Sequence, residues 1–214
     1  MSAPPSPTSG WSDPDQVTWY LERIGKLEAR RAGEQMLAEL LPAAPARVLD
    51  LGCGDGRLAA LVLAARPSVA SCIAVDRSEP MLAAARTRFG QQPMVDVRFW
   101  DLADPVTSFG SFDVIVSGFA IHHLANDRKR ELFAEVATML SPGGVFANLE
   151  VVASATPAHH ATFLAAIGRT EDDPEDQLVA VETQLQWMRE VGMVEVDCLW
   201  RWRGFALLVG EQAR

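Results

Sequence analysis

Cysteine is scarce in this 214-residue chain: Cys53, Cys72 and Cys198 are the whole set, and no two form a CxxC pair. So sparse and odd a count argues against a disulfide framework and against a cysteine zinc site. The thiols read instead as reduced and mostly buried. Long apolar runs are also missing, and no segment reaches the ~18 residues of a membrane span. The opening MSAPPSPTSGW has neither a basic stretch nor an apolar one, so no secretory signal is read there. Its prolines and serines predict a disordered leader over residues 1–13. Basic residues are outnumbered, 19 Lys and Arg against 28 Asp and Glu, for a net charge of −9. Such a field repels phosphates at long range and weighs against a nucleic-acid partner. The expectation is a soluble, cytoplasmic chain of one domain with no membrane partner, able to bury about 70% of its unfolded surface without disulfides or structural metal.

What is present is a regular alternation of elements. Residues 15–41 carry apolar side chains at helical spacing, with Gly25 and Gly33 as candidate breaks and Pro42 as the stop. Strands are read at Arg47–Leu51, Ser71–Val75, Val95–Trp100, Asp113–Ser117 and Val145–Val151, with SPGG at Ser141–Gly144 taken as a turn. The intervening helices are Arg57–Arg66, Ser78–Phe89 (Ser78 as its cap) and Asp127–Leu140. Helices at Pro157–Ile167 and Glu175–Val191 follow, then strands Val194–Trp202 and Phe205–Val209. The last two strands are too close in sequence for a crossover and must pair antiparallel. The prediction is an α/β fold: a seven-stranded, mostly parallel sheet closed by a C-terminal antiparallel hairpin, helices on both faces, and an N-terminal helical lid over residues 14–45 before the main domain at 46–214.

The chemistry concentrates at strand ends. Asp50-Leu51-Gly52-Cys53-Gly54-Asp55-Gly56 follows the first strand and opens a helix, a geometry in which glycines let a ligand approach backbone N–H groups. Asp50 and Asp55 would repel a pyrophosphate but suit a ligand with a sulfonium or ammonium. Asp76 ends the second strand, where a carboxylate can accept both hydroxyls of a ribose. Asp101, with the N–H of Leu102, stands where it can read the edge of an adenine.

LDLGCGDG, VDRSEPML, FWDLAD, FDVIVSGFAIHHL and LSPGGVF, in this order and spacing, resemble the successive motifs of the class I (Rossmann-like) S-adenosylmethionine-dependent methyltransferases. The resemblance runs from about Arg47 to Glu150 and implies S-adenosylmethionine as cofactor, with S-adenosylhomocysteine as product. It assigns Asp50, Gly52, Cys53 and Gly54 to the methionine moiety, Asp76 to the ribose, and Arg77, Met81, Asp101 and Leu102 to the adenine. Ser117, Gly118, Phe119 and Ala120 would form the floor beside the sulfonium. Tyr20, Trp19 and Arg23 would reach down from the lid, although Trp19 also reads as a sheet-packing residue.

Methyl transfer needs positioning more than proton chemistry, and a base only where the acceptor is protonated. His122 and His123, after the fourth strand, are the candidate catalytic residues, set against the weightier structural reading in which such a pair hydrogen-bonds backbone. Glu150, His159 and His160, at and after the fifth strand, are candidates to bind the acceptor, as are Glu182, Gln186 and Trp187. No carboxylate spacing turns the two histidine pairs into a metal set, so no metal is expected. The Asn/Asp-Pro-Pro-aromatic motif of base and glutamine methylation is absent, Ser117-Gly118-Phe119-Ala120 standing in its place. The double-glutamate loop of protein arginine methyltransferases is missing too. LWRWR at Leu199–Arg203 reads as strand alternation, not as a nucleic-acid stacking platform. A small-molecule O- or N-acceptor is the expected partner, with a homodimer compatible. The rival readings are an enzyme that makes a carboxylated form of the cofactor, and a cofactor-binding regulator without turnover.

Overall fold

In the computed structural model, residues 10–24, 27–90 and 92–214 are described, without the side chains of Arg23 and Ile24. Seven strands form one sheet: β1 (Arg47–Leu51), β2 (Ser71–Asp76), β3 (Val95–Phe99), β4 (Phe112–Gly118), β5 (Leu140–Val151), β6 (Val194–Trp202) and β7 (Phe205–Glu211). Their order is β3-β2-β1-β4-β5-β7-β6. Only β7 runs against the rest, pairing antiparallel with both β5 and β6. The helices are α1 (Pro14–Ile24), α2 (Glu28–Leu40), α3 (Arg57–Ala65), α4 (Glu79–Phe89), α5 (Asn126–Met139), α6 (Pro157–Ala166) and α7 (Val181–Glu190). This is the predicted architecture, hairpin and N-terminal helices included.

Burial explains why the central strands read as near-continuous apolar runs. Val48, Val114, Val116, Ala147 and Leu207 face one layer, where Leu37, Leu58, Val62 and Phe89 cover them. Leu49, Leu51, Ile115, Phe146 and Leu208 face the other, under Phe133, Val136, Leu185 and Met188. A strand covered on both faces has no polar side to show. The edge strands differ: β6 alternates, with Trp200 and Trp202 half-buried and Arg201 and Arg203 exposed, as read for LWRWR. The three cysteines are free, Cys53 and Cys72 buried and Cys198 partly so.

Three elements depart from the sequence reading. Gly33 does not break the second helix. A Cβ there would lie 2.8 Å from Leu149 and 2.9 Å from Trp200, so the glycine lets α2 lie close on the sheet. The SPGG segment is not a separate turn: β5 begins at Leu140, which pairs with Phe112 across a register shift. Gly143, at φ +73°, supplies the left-handed residue such an irregularity needs. The last helix begins at Val181, not Glu175. Residues 171–180 instead run irregularly along the sheet's end, where Gln177 N–H donates to the His122 carbonyl (2.9 Å) and Ala153 N–H to that of Val179 (3.1 Å). The candidate break at Gly25 and the Arg23 side chain lie outside the described residues.

Parallel registers bring the functional ends level. Leu51 sits beside Val75 and Ser117, Asp76 beside Phe99, and Gly118 beside Leu149. Because β1 has β2 on one side and β4 on the other, the chain reverses direction of progress there, and a crevice opens beyond the carboxyl ends of these strands.

Candidate active site

The turn after β1 is tied down by its own backbone. Cys53 N–H donates to the Val75 carbonyl (2.8 Å) and Gly56 N–H to that of Cys53 (2.9 Å). Gly52, Gly54 and Gly56 all have positive φ. A Cβ on Gly52 would come within 2.2 Å of the Ala120 Cβ, and one on Gly56 within 2.4 Å of the Phe89 ring. The turn therefore requires glycine for shape and for contact with two neighbouring elements.

Asp76 anchors this turn to the next one, accepting from Gly54 N–H at Oδ2 and from Ser78 N–H at Oδ1, both at 2.8 Å. Burial raises its pKa, and the two N–H groups offset part of that rise. Its remaining lone pairs face a cleft lined by Gly52, Cys53, Gly54, Asp55, Arg77, Met81, Trp100, Asp101 and Leu102 on one side. Gly118, Phe119, Ala120, His123 and Leu124 line the floor, with Trp11, Tyr20 and Arg30 above. The space amounts to about 820 Å3 including its open mouth.

Most of the predicted cofactor residues meet here: Tyr20, Gly52, Cys53, Gly54, Asp76, Arg77, Met81, Asp101, Leu102, Gly118 and Phe119. Asp50 and Ser117 do not reach the surface. Asp50 is wholly buried behind the turn, its Oδ2 accepting from Ala59 N–H (3.0 Å). Its Oδ1 is buried with no hydrogen-bond partner. Burial first, and then the charges of Asp76 and Asp55, push its pKa up to about 7 against the Ala59 N–H. Ser117 donates its hydroxyl proton to the Leu51 carbonyl, locking β4 to β1 beneath the floor.

The lid residues divide. Trp19, half-buried on α1, does not line the cleft, whereas Tyr20 does. Tyr20 accepts from Arg30 Nη1 at 2.9 Å. Arg30 also meets Glu34 at 2.8 Å and lies 4.8 Å from the Phe119 ring centre. Glu34 takes three further bonds from Arg57, at the first turn of α3. Burial opposes the Glu34 charge, but Arg57 and Arg30 outweigh it and leave its pKa lowered. The residues of the expected leader are not all free of the fold. Trp11 packs edge-on against Tyr20, with ring centres 4.9 Å apart, and its carbonyl accepts from Ser78 Oγ. Residues 1–9 lie outside the described set.

His122 and His123 sit in one turn of 3-10 helix, Ile121–His123. His122 is buried, its N–H donating to Glu150 Oε2 (2.9 Å) and its ring Nδ1 sharing a hydrogen bond with Glu150 Oε1. Burial disfavours its charge, but Glu150 and then Asp176 overcome this and raise its pKa. His123 lines the cleft and is pushed down to about 3, by burial, by His122 and by Arg77. It is therefore a neutral imidazole at any ordinary pH. Glu150 does not face the cleft: it holds His122.

His160 lies apart, in a second cavity with Ser154, Thr156, Asp172 and Asp176. Its Nε2 meets Asp172 at 2.8 Å and its Nδ1 is 3.4 Å from Ser154 Oγ. His159 is exposed, its N–H bound to the Thr156 cap. Glu182 and Gln186 line neither cavity, while Trp187 packs on the core under Arg130.

Four features went unread in the sequence: Trp11, Arg30 with Glu34, Lys129 and Asp176. The Arg30–Glu34 spacing of four was a usable signal. Asp176 lies in an acidic run that marks no single carboxylate, and Lys129, among the charged residues that open α5, is buried with its ammonium on the Gln177 carbonyl and Asn126. Burial pulls the Lys129 pKa down to about 8.

The sheet order, the glycine turn and the acid at the end of β2 define a Rossmann-like domain with a crevice beyond the ends of its strands. The comparisons agree: residues 48–144 match the family of methyltransferase domains, and that match together with the fold supports a class I S-adenosylmethionine-dependent methyltransferase, with S-adenosylmethionine as cofactor. An uncharacterized methyltransferase of Mycobacterium tuberculosis is 35% identical over 128 residues, 58% of this chain and 59% of that protein. A trans-aconitate 2-methyltransferase of Acidovorax ebreus is 35% identical over 120 residues, 56% of this chain and 44% of that one. The chain thus spans less than two thirds of these relatives. Human N-acetylserotonin methyltransferase, solved with S-adenosylmethionine, shares the fold at TM-score 0.69 and 13% identity, over 95% of this chain and 58% of that one.

Proposed function

We propose that the chain transfers the methyl group of S-adenosylmethionine to an oxygen or nitrogen of a small-molecule acceptor. The observation that carries this reading is the orphaned Asp50 Oδ1 behind a glycine turn that a Cβ would obstruct, beside the Asp76 carboxylate. A buried carboxylate with one oxygen unpartnered favours a cation nearby, and backbone without Cβ atoms allows the ligand close approach. When bound, the cofactor supplies a methyl group on positive sulfur, displaced in line by a nucleophile.

The chain's own residues hold and shield. Asp76 accepts from the ribose hydroxyls and Asp101 reads the adenine edge in this reading. Arg30 brings the positive charge that the amino-acid carboxylate needs, oriented by Tyr20 and Glu34. Trp11 and Tyr20 cover the mouth and exclude water. Glu150 fixes His122 and so the turn carrying His123, whose neutral imidazole lines the cleft. His160, held by Asp172, offers a second polar contact from the acceptor side. The carboxylated-cofactor alternative needs an arginine with an open guanidinium. In this reading Arg30 serves the amino-acid carboxylate and Arg77 is paired with Glu175, so neither is left for a second carboxylate.

Calorimetry with S-adenosylmethionine tests the cofactor half. Asp76→Ala removes two charge-assisted bonds to the ribose and should weaken binding by about 3 kcal/mol, roughly 100-fold. Unchanged affinity would sink the assignment. Release of S-adenosylhomocysteine over a panel of carboxylic acids, phenols and amines tests the acceptor half; the relatives named for trans-aconitate put polycarboxylic acids first. Cofactor binding with no turnover on any class would overturn the small-molecule reading.

A further inference from the structure

His122, His123 and Asp176 converge on the wall between the two cavities. His123 lines the cofactor cleft and Asp176 the second cavity. One donor atom from each lies within 4.8 Å of the others. His122 Nε2 is 3.4 Å from Asp176 Oδ1, and His123 Nδ1 is 3.6 Å from the same oxygen. Both distances exceed the roughly 2.7–3.2 Å of a hydrogen bond. They match the separation of two donors on one tetrahedral metal, about 3.3–3.6 Å for bonds of about 2.0–2.2 Å.

The surroundings prepare each donor. Glu150 Oε1 bonds His122 Nδ1, which fixes the ring and turns Nε2 toward Asp176. A carboxylate holding the far nitrogen of a histidine is the usual support of a metal-binding imidazole. Asp176 Oδ2 accepts from Asp173 N–H (3.1 Å), leaving Oδ1 to face the rings. His123 Nδ1 is buried with no hydrogen-bond partner, a cost that a metal bond would remove. The two ring centres are 4.0 Å apart.

We propose that His122 Nε2, His123 Nδ1 and Asp176 Oδ1 bind one divalent transition-metal ion of the zinc class. Two imidazoles and a carboxylate suit zinc, cobalt or nickel better than calcium or magnesium, which prefer oxygen. Three protein ligands leave a fourth position for water or a ligand oxygen, on the wall that both cavities share. Two cations face the site and limit its affinity: Lys129, bonded to Asn126 and the Gln177 carbonyl, and Arg77, paired with Glu175. The site uses nothing of the cofactor assignment, and its test does not depend on turnover.

The full chain, stripped with chelator, is titrated with Co2+, whose tetrahedral complexes absorb strongly in the visible. One equivalent per chain should give these bands, and Zn2+ should abolish them. Asp176→Asn and His123→Ala should each remove them, with far-ultraviolet circular dichroism unchanged. Glu150→Gln keeps the ligands but loosens His122, and should weaken binding about 10- to 100-fold. His160→Ala should leave the bands as they are. Absence of bands in the wild type overturns the site. So does their persistence in both Asp176→Asn and His123→Ala, or their loss in His160→Ala, which would place the metal on the second histidine pair.

Discussion

One side of the cleft is built from consecutive loops: Gly52 and Gly54 after β1, Asp76 after β2, Asp101 after β3. The opposite side draws Trp11 from the segment before α1, Arg30 from α2 and His123 from the loop after β4, with Asp176, from far along the chain, beside His123 in the second cavity. The first arrangement follows from parallel registers alone, because β1, β2 and β3 end level. The second depends on long-range packing and on ion pairs that cross elements. A site half fixed by topology and half by packing can retain its cofactor while its other partner changes.

The sharpest way to break the first half is Gly52→Ala. The new methyl would overlap Ala120, and the backbone stands at φ +69°. A clash and a left-handed alanine together should abolish measurable cofactor binding and cost about 2–4 kcal/mol of stability; calorimetry and thermal melts report the two effects. A milder perturbation is Asp50→Asn, which keeps the acceptor for Ala59 N–H. The folded pKa of Asp50 is raised to about 7, so the folded chain holds this proton while the unfolded chain has lost it. The wild type therefore loses stability as pH rises from about 4 through 7, and the loss is complete above 7. The variant has no such loss. Its advantage without cofactor should grow by on the order of 2 kcal/mol between pH 5 and pH 8, seen in denaturant melts at the two values. The smallest effect belongs to His159→Ala. That side chain is exposed and lines neither cavity, so cofactor affinity and stability should stay within about 0.5 kcal/mol. A larger change would mean that the acceptor side extends onto α6.

The same contrast explains what the sequence disclosed. The strand ends and the glycine turn were legible because their signal is local: apolar runs, punctuating glycines, an acid at a fixed offset. The hairpin was legible from chain length alone. Asp176 was not, because a position in EDDPED says nothing about which carboxylate folds back onto His122. Glu150 was read as facing the acceptor, but only the packing of the Ile121–His123 turn over β5 directs it to His122. Trp11 followed prolines and serines that suggest disorder, and a tryptophan's partner, here Tyr20, is set by tertiary contact. Asp50 was placed correctly at the turn, yet strand alternation and the α3 N-terminus turned it inward, from a contact to a hidden charge.

Gly33 carries an implication for redesign. Its missing side chain lets α2 rest on Leu149 and Trp200, while Glu34 rivets the same helix to α3 through Arg57. α2 is thus framework even where its Arg30 meets the mouth, and the stretch from Gly10 through α1 is upholstery. Exchanging that short stretch is the smallest graft that would give the mouth a new lining while leaving the floor untouched.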